Sequence, residues 1–490
     1  MGAAALSGCN DSGPDASSSS GARATDPRFI RPRDPEVLSR ELKRAVPRAG
    51  VQNSSLRVAP TVIEVGGRQV RTWAYNDQLP GPVLRAEVGD TLAVRVTNEL
   101  ADDTTVHWHG LTLRNDMDGI HHRSEHAIRT GTTFPYSFIL DAPGTYWYHS
   151  HVGLQADHGL YGPLIVEDRD DIGRYDSEHI LMLDDWIDGY GSTPEAIFDM
   201  LHQPKARQQS SKWTGKFRSE DLGGDAGSIR YPQHLINGRS KSDRPTFSVQ
   251  TGSTVRLRII NAAAETAYRF AAGDLKMTVT HADGYEVQPV EVDVVLIGPG
   301  ERYDVTVTVT SGAWALIAVP AGKPGRAEAI LRTRDSSLSP TATPANPTRA
   351  LNSGRLLQYS DLLATPKAAL AFNNPSRTEE VFLTGGNADF HWGINGEVME
   401  DNKAVTVHEG EKLRLIVTNA TSLWHPMHLH GHTFRLGTEA DSPRKDTVIV
   451  KPGAQFIFDV LCDNPGQWMF HCHNAYHFQA GMGIAFDYRR

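Results

Sequence analysis

The chain has 490 residues, of which 39% are hydrophobic and 22% charged, a balance that argues against a membrane-embedded or wholly disordered protein. Its length predicts roughly two to four domains. No run of 18 apolar residues that could form a transmembrane helix is present. With 49 basic against 58 acidic residues and no basic cluster, nucleic acid is not an expected partner. Three cysteines exclude a disulfide framework, whereas 21 histidines are unusual, so their positions carry most of the functional information.

The N-terminal segment contains a candidate modification site. The LSGC sequence at residues 6–9 resembles the lipobox of bacterial lipoproteins, in which the cysteine carries the lipid. A Ser/Gly/Asp-rich spacer follows over residues 10–25 and is not expected to fold alone. We therefore expect residues 1–50 to be a lipobox-like start and a disordered spacer, with Cys9 as a lipid anchor and the signal segment trimmed. The alternative is a chance cysteine in a disordered tail.

The body of the chain repeats one pattern three times. A glycine opens an alternating apolar and polar run that an asparagine closes nine residues later, at 89–98, 252–261 and 410–419. This alternation is typical of a half-buried β-strand. A Pro-Gly turn signal recurs before a further strand in each copy, at 143–144, 299–300 and 465–466. The repeats predict an all-β chain of three tandem β-sandwiches or Greek-key barrels.

The repeats also predict the domain boundaries. The predicted units are 51–170, 171–335 and 351–490, with a linker at 336–350 that contains a Pro/Ser/Thr-rich stretch. A helix is predicted within 193–209, inside an insertion at about 187–230 in the second unit.

Histidines in the first and third units are spaced by two residues. Because residues i and i+2 of a strand point to the same face, each such pair presents two imidazoles together. The four pairs are His107 and His109, His149 and His151, His428 and His430, and His471 and His473. Eight imidazoles are enough for a multinuclear metal cluster, and imidazole suits copper, zinc, iron and nickel. In the second unit the matching stretches, 265–270 and 305–307, contain no histidine, so this unit is predicted to bind no metal.

A second constellation shares the last histidine pair. Cys472 lies between His471 and His473 and therefore faces the opposite side of the strand. There it can join His425, His477 and Met482, and two imidazoles, one thiolate and a long axial thioether form a blue-copper site. Cys472 would then connect two metal centres through one short piece of backbone. Isolated HxH pairs are common without metal, and zinc is a rival for a three-histidine site, but the clustering at repeat positions favours copper.

The motifs HWHG, HSH, HPMHLH and HCHNAYHFQAGM together resemble the three-domain multicopper oxidases, the laccase-like family, over roughly residues 55–490. The lipobox-like start and the RNDMDG and HVGLQADHGLYG segments are most similar to actinobacterial lipoprotein members. The resemblance implies three cupredoxin-like domains and four copper ions. His425, Cys472, His477 and Met482 would hold type 1 copper, and His107 and His428 type 2 copper. The type 3 pair would be held by His109, His149, His151, His430, His471 and His473.

The resemblance also implies a route for protons. Asp118 matches an acidic position that the family uses near its cluster, although Asp118-Gly119 is equally a turn signal. Several bacterial members have a glutamate directly after the second type 1 histidine, where this chain has Phe478. Another acid, Asp157 or Asp116, or water would then serve the proton path.

In this family, single electrons enter at type 1 copper and reduce dioxygen to water at the trinuclear cluster. The expected donors are phenols and aromatic amines, and Met482 favours easily oxidised ones. Electrons are expected to enter through an exposed edge of His477. The alternatives are a cell-surface metallo-oxidase that acts on Cu(I) or Fe(II) in copper resistance, and a copper-binding electron-transfer protein without turnover. We expect an extracytoplasmic, monomeric protein, lipid-anchored or secreted.

Overall fold

The computed structural model describes most of the chain from residue 26 onward. The described ranges are 26–44, 50–121, 123–124, 127–169, 174–203, 212–338, 344, 348–386 and 388–490. Cys9 and its spacer, and most of the predicted linker, lie outside them. The described helices are short: α1 (Pro35–Arg44), α2 (Pro194–Leu201), α3 (Thr348–Ser353) and α4 (Ala475–Gln479). No described helix is long and apolar enough to cross a membrane.

The first unit consists of two four-stranded sheets. Its strands are β1 (Val51–Val65), β2 (Arg68–Tyr75), β3 (Leu84–Glu87), β4 (Thr91–Asn98), β5 (His107–His109), β6 (Thr133–Ile139), β7 (Gly144–His149) and β8 (Tyr161–Glu167). One sheet has the order β2-β1-β4-β6 and the other β3-β8-β7-β5. Apolar side chains from both sheets, such as Val94 and Tyr148, form a buried core between them.

The second unit is larger, with a seven-stranded and a five-stranded sheet. Its strands are β9 (Ser177–Trp186), β10 (Arg218–Ser219), β11 (Gly224–Asp225), β12 (Gln233–Ile236), β13 (Arg239–Ser240), β14 (Thr246–Val249), β15 (Thr254–Asn261), β16 (Tyr268–Ala272), β17 (Met277–Ala282), β18 (Tyr285–Val292), β19 (Val295–Ile297), β20 (Arg302–Thr308), β21 (Ala313–Pro320) and β22 (Ala327–Thr333). The sheet orders are β13-β12-β9-β15-β20-β17-β18 and β14-β22-β21-β16-β19.

The third unit again pairs two sheets. Its strands are β23 (Arg377–Gly386), β24 (His391–Ile394), β25 (Val405–His408), β26 (Glu411–Asn419), β27 (His425–Leu429), β28 (Phe434–Leu436), β29 (Arg444–Lys445), β30 (Thr447–Val450), β31 (Gln455–Cys462), β32 (Gln467–Cys472) and β33 (Gly483–Arg489). The orders are β24-β23-β26-β31-β28-β29 and β25-β33-β32-β27-β30. Three tandem two-sheet units of cupredoxin-like architecture confirm the predicted all-β fold class.

The three repeated runs form equivalent strands, β4, β15 and β26, but their burial differs. β4 and β26 alternate between buried and partly exposed residues, as predicted, whereas nearly every residue of β15 is buried. The reason is that the outer face of β15 packs against the first unit. There Arg258 Nη1 donates to Thr145 Oγ1 at 2.9 Å.

The asparagine that closes each run has the same structural role in all three units. Asn98, Asn261 and Asn419 are at most 1% exposed, and each side chain makes three hydrogen bonds to the backbone. Asn261 Nδ2 donates to the carbonyls of Thr266 and Ile297, both at 2.9 Å, and its Oδ1 accepts from Ala263 N at 3.0 Å. The amide thus joins the strand end to a loop and a second strand.

The insertion after residue 187 packs against the third unit. It contains α2, which agrees with the helix predicted within 193–209, although residues 204–211 are outside the described ranges. Ile197, Leu201 and Leu222 share one buried cluster with the core of the third unit. Glu265 holds the returning chain, because its carboxylate accepts from Ser228 N at 3.1 Å and Ile229 N at 3.2 Å.

We predict that Asn261→Ala destabilises the protein by about 2 kcal/mol or more, because two buried carbonyls and one buried N–H lose their partner. Thermal unfolding of the metal-free protein measures this effect. Asn374→Ala, at an exposed position, is the matched control and is expected to have the wild-type midpoint. Equal midpoints for the two variants would show that the asparagine has no structural role.

Candidate metal centres

In the first unit, strand pairing brings the histidine pairs together. β5 and β7 run antiparallel with His107 opposite His149, and the ring centroids of these two residues lie 5.3 Å apart. His109 lies two residues along β5, and His151 follows the end of β7. The centroids of His149 and His151 are 5.9 Å apart. The first unit therefore presents four imidazoles at one sheet edge.

The third unit mirrors this arrangement. β27 and β32 run antiparallel with His428 opposite His471. His430 and His473 extend the two strands, and His473 N donates to the carbonyl of Pro426 at 2.6 Å. The two sets of four imidazoles meet at the boundary between the units, where His109 and His428 stack with centroids 3.8 Å apart.

The eight imidazoles form three groups, and each group combines both units. Within a group, one ligand atom from each residue lies within 4.8 Å of the others. The groups are His107, His109 and His428; His109, His149 and His473; and His151, His430 and His471. All sequence-predicted cluster histidines are thus brought together.

Hydrogen bonds distinguish the two nitrogens of several of these rings. His107 Nδ1 donates to the carbonyl of Asp118 at 2.9 Å, and His149 Nδ1 to that of Ser150 at 2.8 Å. The remaining nitrogens point into the cluster. Several of them are buried without a hydrogen-bond partner among the described residues: Nε2 of His107, His149 and His428, Nδ1 of His109, and both nitrogens of His473. Buried polar atoms are rarely left unpaired, so the residues fit a bound metal.

Burial also sets the charge of these imidazoles. Desolvation, reinforced by repulsion from neighbouring rings, holds their pKa values well below the ordinary value. This applies to His109, His149, His151, His430, His471 and His473. They are therefore neutral, which is the form that binds a metal.

The predicted blue-copper residues converge on the opposite face of β32. Cys472 Sγ lies 3.6 Å from His425 Nδ1 and 3.8 Å from His477 Nδ1, and the two nitrogens are 3.1 Å apart. His425 Nε2 is engaged by Thr421 Oγ1 at 2.8 Å, which leaves Nδ1 for a metal. Burial raises the pKa of the Cys472 thiol, so a thiolate there requires a cation beside it.

Met482 is fully buried next to these ligands. Its backbone N–H donates to the carbonyl of His477, and its carbonyl accepts from Cys472 N, both at 3.0 Å. The chain thus loops from His477 through the short helix α4 back to the strand that contains Cys472.

The three candidate acids lie in different surroundings. Asp118 Oδ2 accepts from His430 Nδ1 at 3.0 Å, and Oδ1 lies 3.2 Å from His107 Nδ1. Asp118 also belongs to a tight turn, since Gly119 has φ +78°. Asp157 lines a cavity of about 50 Å³ together with four cluster histidines. Asp116 instead pairs with Arg114 Nε at 2.8 Å.

The structure contradicts the expected exposed edge of His477, which is only 1% exposed. Trp392 packs on the imidazole with a centroid distance of 4.4 Å, and Phe390 lies 5.9 Å away. His202, exposed at the end of α2, contacts Phe390 at 5.4 Å. Trp392 and Phe390 therefore cover His477, and the insertion packs against Phe390, which local sequence patterns did not indicate.

Three family models, each described as multicopper oxidase, match residues 57–171, 178–336 and 372–490. The chain is 44% identical to Multicopper oxidase MmcO of Mycobacterium tuberculosis over 89% of this chain and 86% of that protein. The chain belongs to the multicopper oxidase family. It is a copper-dependent oxidoreductase that uses dioxygen, and its family binds four coppers of types 1, 2 and 3.

More distant relatives cover a similar share of this oxidase. Copper resistance protein A of Pseudomonas syringae pv. tomato is 28% identical over 87% of this chain and 91% of its own length. The crystal structure of a laccase from Botrytis aclada superposes with a TM-score of 0.73, at 25% identity, over 90% of this chain and 88% of that chain.

Sequence reasoning missed two residues that contact the predicted ligands of this oxidase. Asp446 Oδ1 lies 3.2 Å from His109 Nε2, and its carbonyl accepts from His428 Nδ1 at 3.0 Å. Thr447 Oγ1 lies 3.1 Å from the same His428 nitrogen. The available signal was a charged residue pair, Lys445-Asp446, directly before an apolar strand.

An ionic contact joins the insertion of the second unit to the first unit of this oxidase. His158 Nδ1 lies 2.9 Å from Asp188 Oδ2, and Nε2 lies 2.9 Å from Glu195 Oε1 in the first turn of α2. Burial alone would lower the pKa of His158, but the two carboxylates raise it to about 9. The charged imidazole therefore joins α2 to the first unit at neutral pH.

Because the folded pKa of His158 is raised from 6.5 to about 9, its stabilisation is complete below about pH 6.5 and is lost as pH rises through about 9. At 1.36 kcal/mol per pKa unit this corresponds to about 3 kcal/mol. We predict that the thermal unfolding midpoint of the wild type falls over this window. His158→Gln is expected to start lower and to change less. Parallel pH profiles for the two proteins would contradict the ionic contact.

Proposed function

We propose that the twelve ligands predicted from sequence, which are ten imidazoles, the Cys472 thiolate and the Met482 thioether, hold the four coppers of a laccase-like oxidase. His425, Cys472, His477 and Met482 hold type 1 copper, and His107 and His428 hold type 2 copper. The type 3 pair is held by His109, His149 and His473 on one side and by His151, His430 and His471 on the other. The observation that supports this assignment is the convergence of unpaired ring nitrogens from two domains.

When bound, the coppers supply one-electron acceptance at the type 1 site and four-electron reduction of dioxygen to water at the trinuclear site. The chain supplies the connection between the sites. Cys472 ends β32 and lies directly between His471 and His473 in sequence. One peptide link on each side therefore joins the thiolate ligand to a ligand of each type 3 group.

Protons must reach the trinuclear site, and two buried carboxyl groups lie in position to hold them. Asp118 contacts the rings of His107 and His430, which belong to different domains. Asp157 lines the cavity beside the cluster and accepts from Tyr476 Oη at 2.6 Å. We propose that Asp157 takes the place of the family glutamate, whose position Phe478 occupies here.

We predict that Asp118→Asn and Asp157→Asn each slow dioxygen reduction about a hundredfold, because an amide cannot transfer the proton. The blue absorption should remain, since neither residue touches Cys472. Single-turnover reoxidation of the reduced enzyme by dioxygen measures the step. Asp116→Asn, which removes a carboxylate paired with Arg114, is the matched control and should reoxidise at the wild-type rate. An unchanged rate in either test variant would remove that residue from the proton path.

Phenols and aromatic amines are the first donor class that we propose, supported by the similarity to laccases. The buried His477 supports a second candidate, a metallo-oxidase for Cu(I) or Fe(II). A phenol ring cannot stack on an imidazole that Trp392 and Phe390 already cover. Asp199 and Asp389 are exposed beside this cover, and carboxylates can contribute to binding Fe(II). Similarity to copper resistance proteins points the same way.

Oxygen uptake by the protein with four bound coppers, compared at one pH with a methoxyphenol, Fe(II) and Cu(I), decides between the two donor classes. Phe390→Ala should raise phenol turnover if phenols must reach His477, and should leave metal-ion turnover unchanged. Phe382→Ala, at a residue 41% exposed, is the control. A preference for metal ions would identify a metallo-oxidase. No uptake with any donor, despite four coppers, would contradict the oxidase assignment.

The domain division at 51–170, 171–335 and 351–490, with a linker at 336–350, remains our proposal. We also propose an extracytoplasmic location, supported by the similarity to copper resistance proteins. Lipid attachment at Cys9 and a monomeric state are further proposals. Mass analysis of the N-terminal peptide from the native host tests the first, and light scattering tests the second.

A further inference from the structure

Arg302, at the start of β20 in the copper-free middle domain, is fully buried and all five of its guanidinium N–H groups have acceptors. Nε donates to the carbonyl of Thr145 at 3.0 Å. Nη1 donates to the carbonyl of Gly300 at 3.2 Å and to Asp446 Oδ1 at 2.6 Å. Nη2 donates to the carbonyl of Asp283 at 3.1 Å and to Asp446 Oδ2 at 2.7 Å. One side chain thus joins all three domains.

Asp446, the carboxylate that accepts two hydrogen bonds from Arg302, also contacts two of the proposed ligand imidazoles. Asp446 Oδ1 lies 3.2 Å from His109 Nε2 and 3.4 Å from His428 Nδ1. Thr447 Oγ1 donates to the same oxygen at 2.9 Å. These contacts occupy the nitrogens that face away from the cluster. The position of Asp446 therefore sets the orientation of both rings, and with it the direction of the nitrogens that face the cluster, His109 Nδ1 and His428 Nε2.

A second contact from the middle domain holds the same turn of the third domain. Asp283 Oδ2 accepts from the backbone N–H groups of Asp446 and Thr447 and from Lys445 Nζ, each at 3.1 Å. Lys445 Nζ also lies 3.2 Å from Glu301 Oε1. All these charged side chains are fully buried. Buried charges are retained only where their partners are well placed, so small displacements of either domain are strongly opposed.

Arg302 departs from the residue type found at the equivalent position of the other two sequence repeats. Two residues after the glycine of each Pro-Gly turn, the outer domains have an aromatic residue, Tyr146 in the first and Trp468 in the third. The middle domain has a charged residue at that position. An arginine is suited to it, since only a planar guanidinium can grip a carboxylate with two parallel bonds and still reach three carbonyls.

We propose that the middle domain, which supplies no copper ligand, positions the trinuclear centre through Arg302. Arg302 fixes Asp446, and Asp446 orients His109 from the first domain and His428 from the third. Arg302 is thus a positioning residue, remote from the metal itself. The inference rests on the proposed copper assignment, in which His428 is a type 2 ligand and His109 a type 3 ligand.

The test is Arg302→Lys, which keeps the positive charge but removes the bidentate hydrogen bonding to the Asp446 carboxylate. Loss of a residue that orients metal ligands typically costs tenfold to a hundredfold in metal affinity or activity. We expect loss of the type 2 electron paramagnetic resonance signal, fewer than four coppers per chain, and kcat lowered by that factor. KM for the donor and the blue absorption should stay at wild-type values, because the donor reacts at the Cys472 site.

Arg256→Lys is the matched control. Arg256 is another buried arginine of the same sheet, and it donates to Asp304 through Nε at 3.2 Å and Nη2 at 2.6 Å. Within the described part of the chain, Asp304 contacts no proposed ligand. A wild-type type 2 signal, copper content and kcat in Arg302→Lys would overturn the inference, as would equal losses in Arg256→Lys. If Arg302→Lys does not fold, Asp446→Asn is judged by the same criteria. Failure of the wild type to bind four coppers would instead contradict the proposed function.

Discussion

No domain of this protein can form the proposed trinuclear site alone. Each of its three imidazole groups takes ring nitrogens from both the first and the third domain. Metal coordination tolerates displacements of only about 0.5 Å, so the relative position of the two domains, whose histidines are more than 250 residues apart in sequence, is a condition for metal binding. Direct contacts supply part of this alignment. Asn115 pairs with both backbone groups of Gln467, at 2.7 and 2.9 Å, and Asn464 Nδ2 donates to the carbonyl of Leu113 at 2.9 Å.

The middle domain shows how a repeated unit can lose one chemistry and acquire another use. It keeps the strand pattern and the buried asparagine of its neighbours, but Val305, Thr306 and Val307 occupy the position of an HxH pair. In place of ligands it contributes buried charges at the domain junction and an insertion over the third domain. Glu265, in the stretch that corresponds to the ligand motifs, anchors that insertion through Ser228 and Ile229.

The two sides of β32 separate the functions of the enzyme. On one side, Cys472 and His477 lie beneath the rings of Trp392 and Phe390, so electrons from a donor must cross protein rather than enter at a bare imidazole. On the other side, Asp118 and Asp446 contact four of the eight imidazoles, and Asp157 borders the nearby cavity. In the proposed assignment, donor oxidation and dioxygen reduction therefore depend on different residues, connected through the backbone beside Cys472 and through β27, which carries both His425 and His428.

The sequence alone determined the three-unit β architecture and which histidines form same-strand pairs as candidate ligands, because strand alternation and HxH spacing are local patterns. It also predicted that Cys472 faces away from its neighbours, for the same reason. Tertiary structure decided which imidazoles share a group, since each group crosses a domain boundary. It also decided that Trp392 and Phe390 bury His477 and that Arg302 contacts Asp446, which contacts His109 and His428. These are contacts between residues distant in sequence, and their free energies depend on burial and geometry that no local pattern encodes.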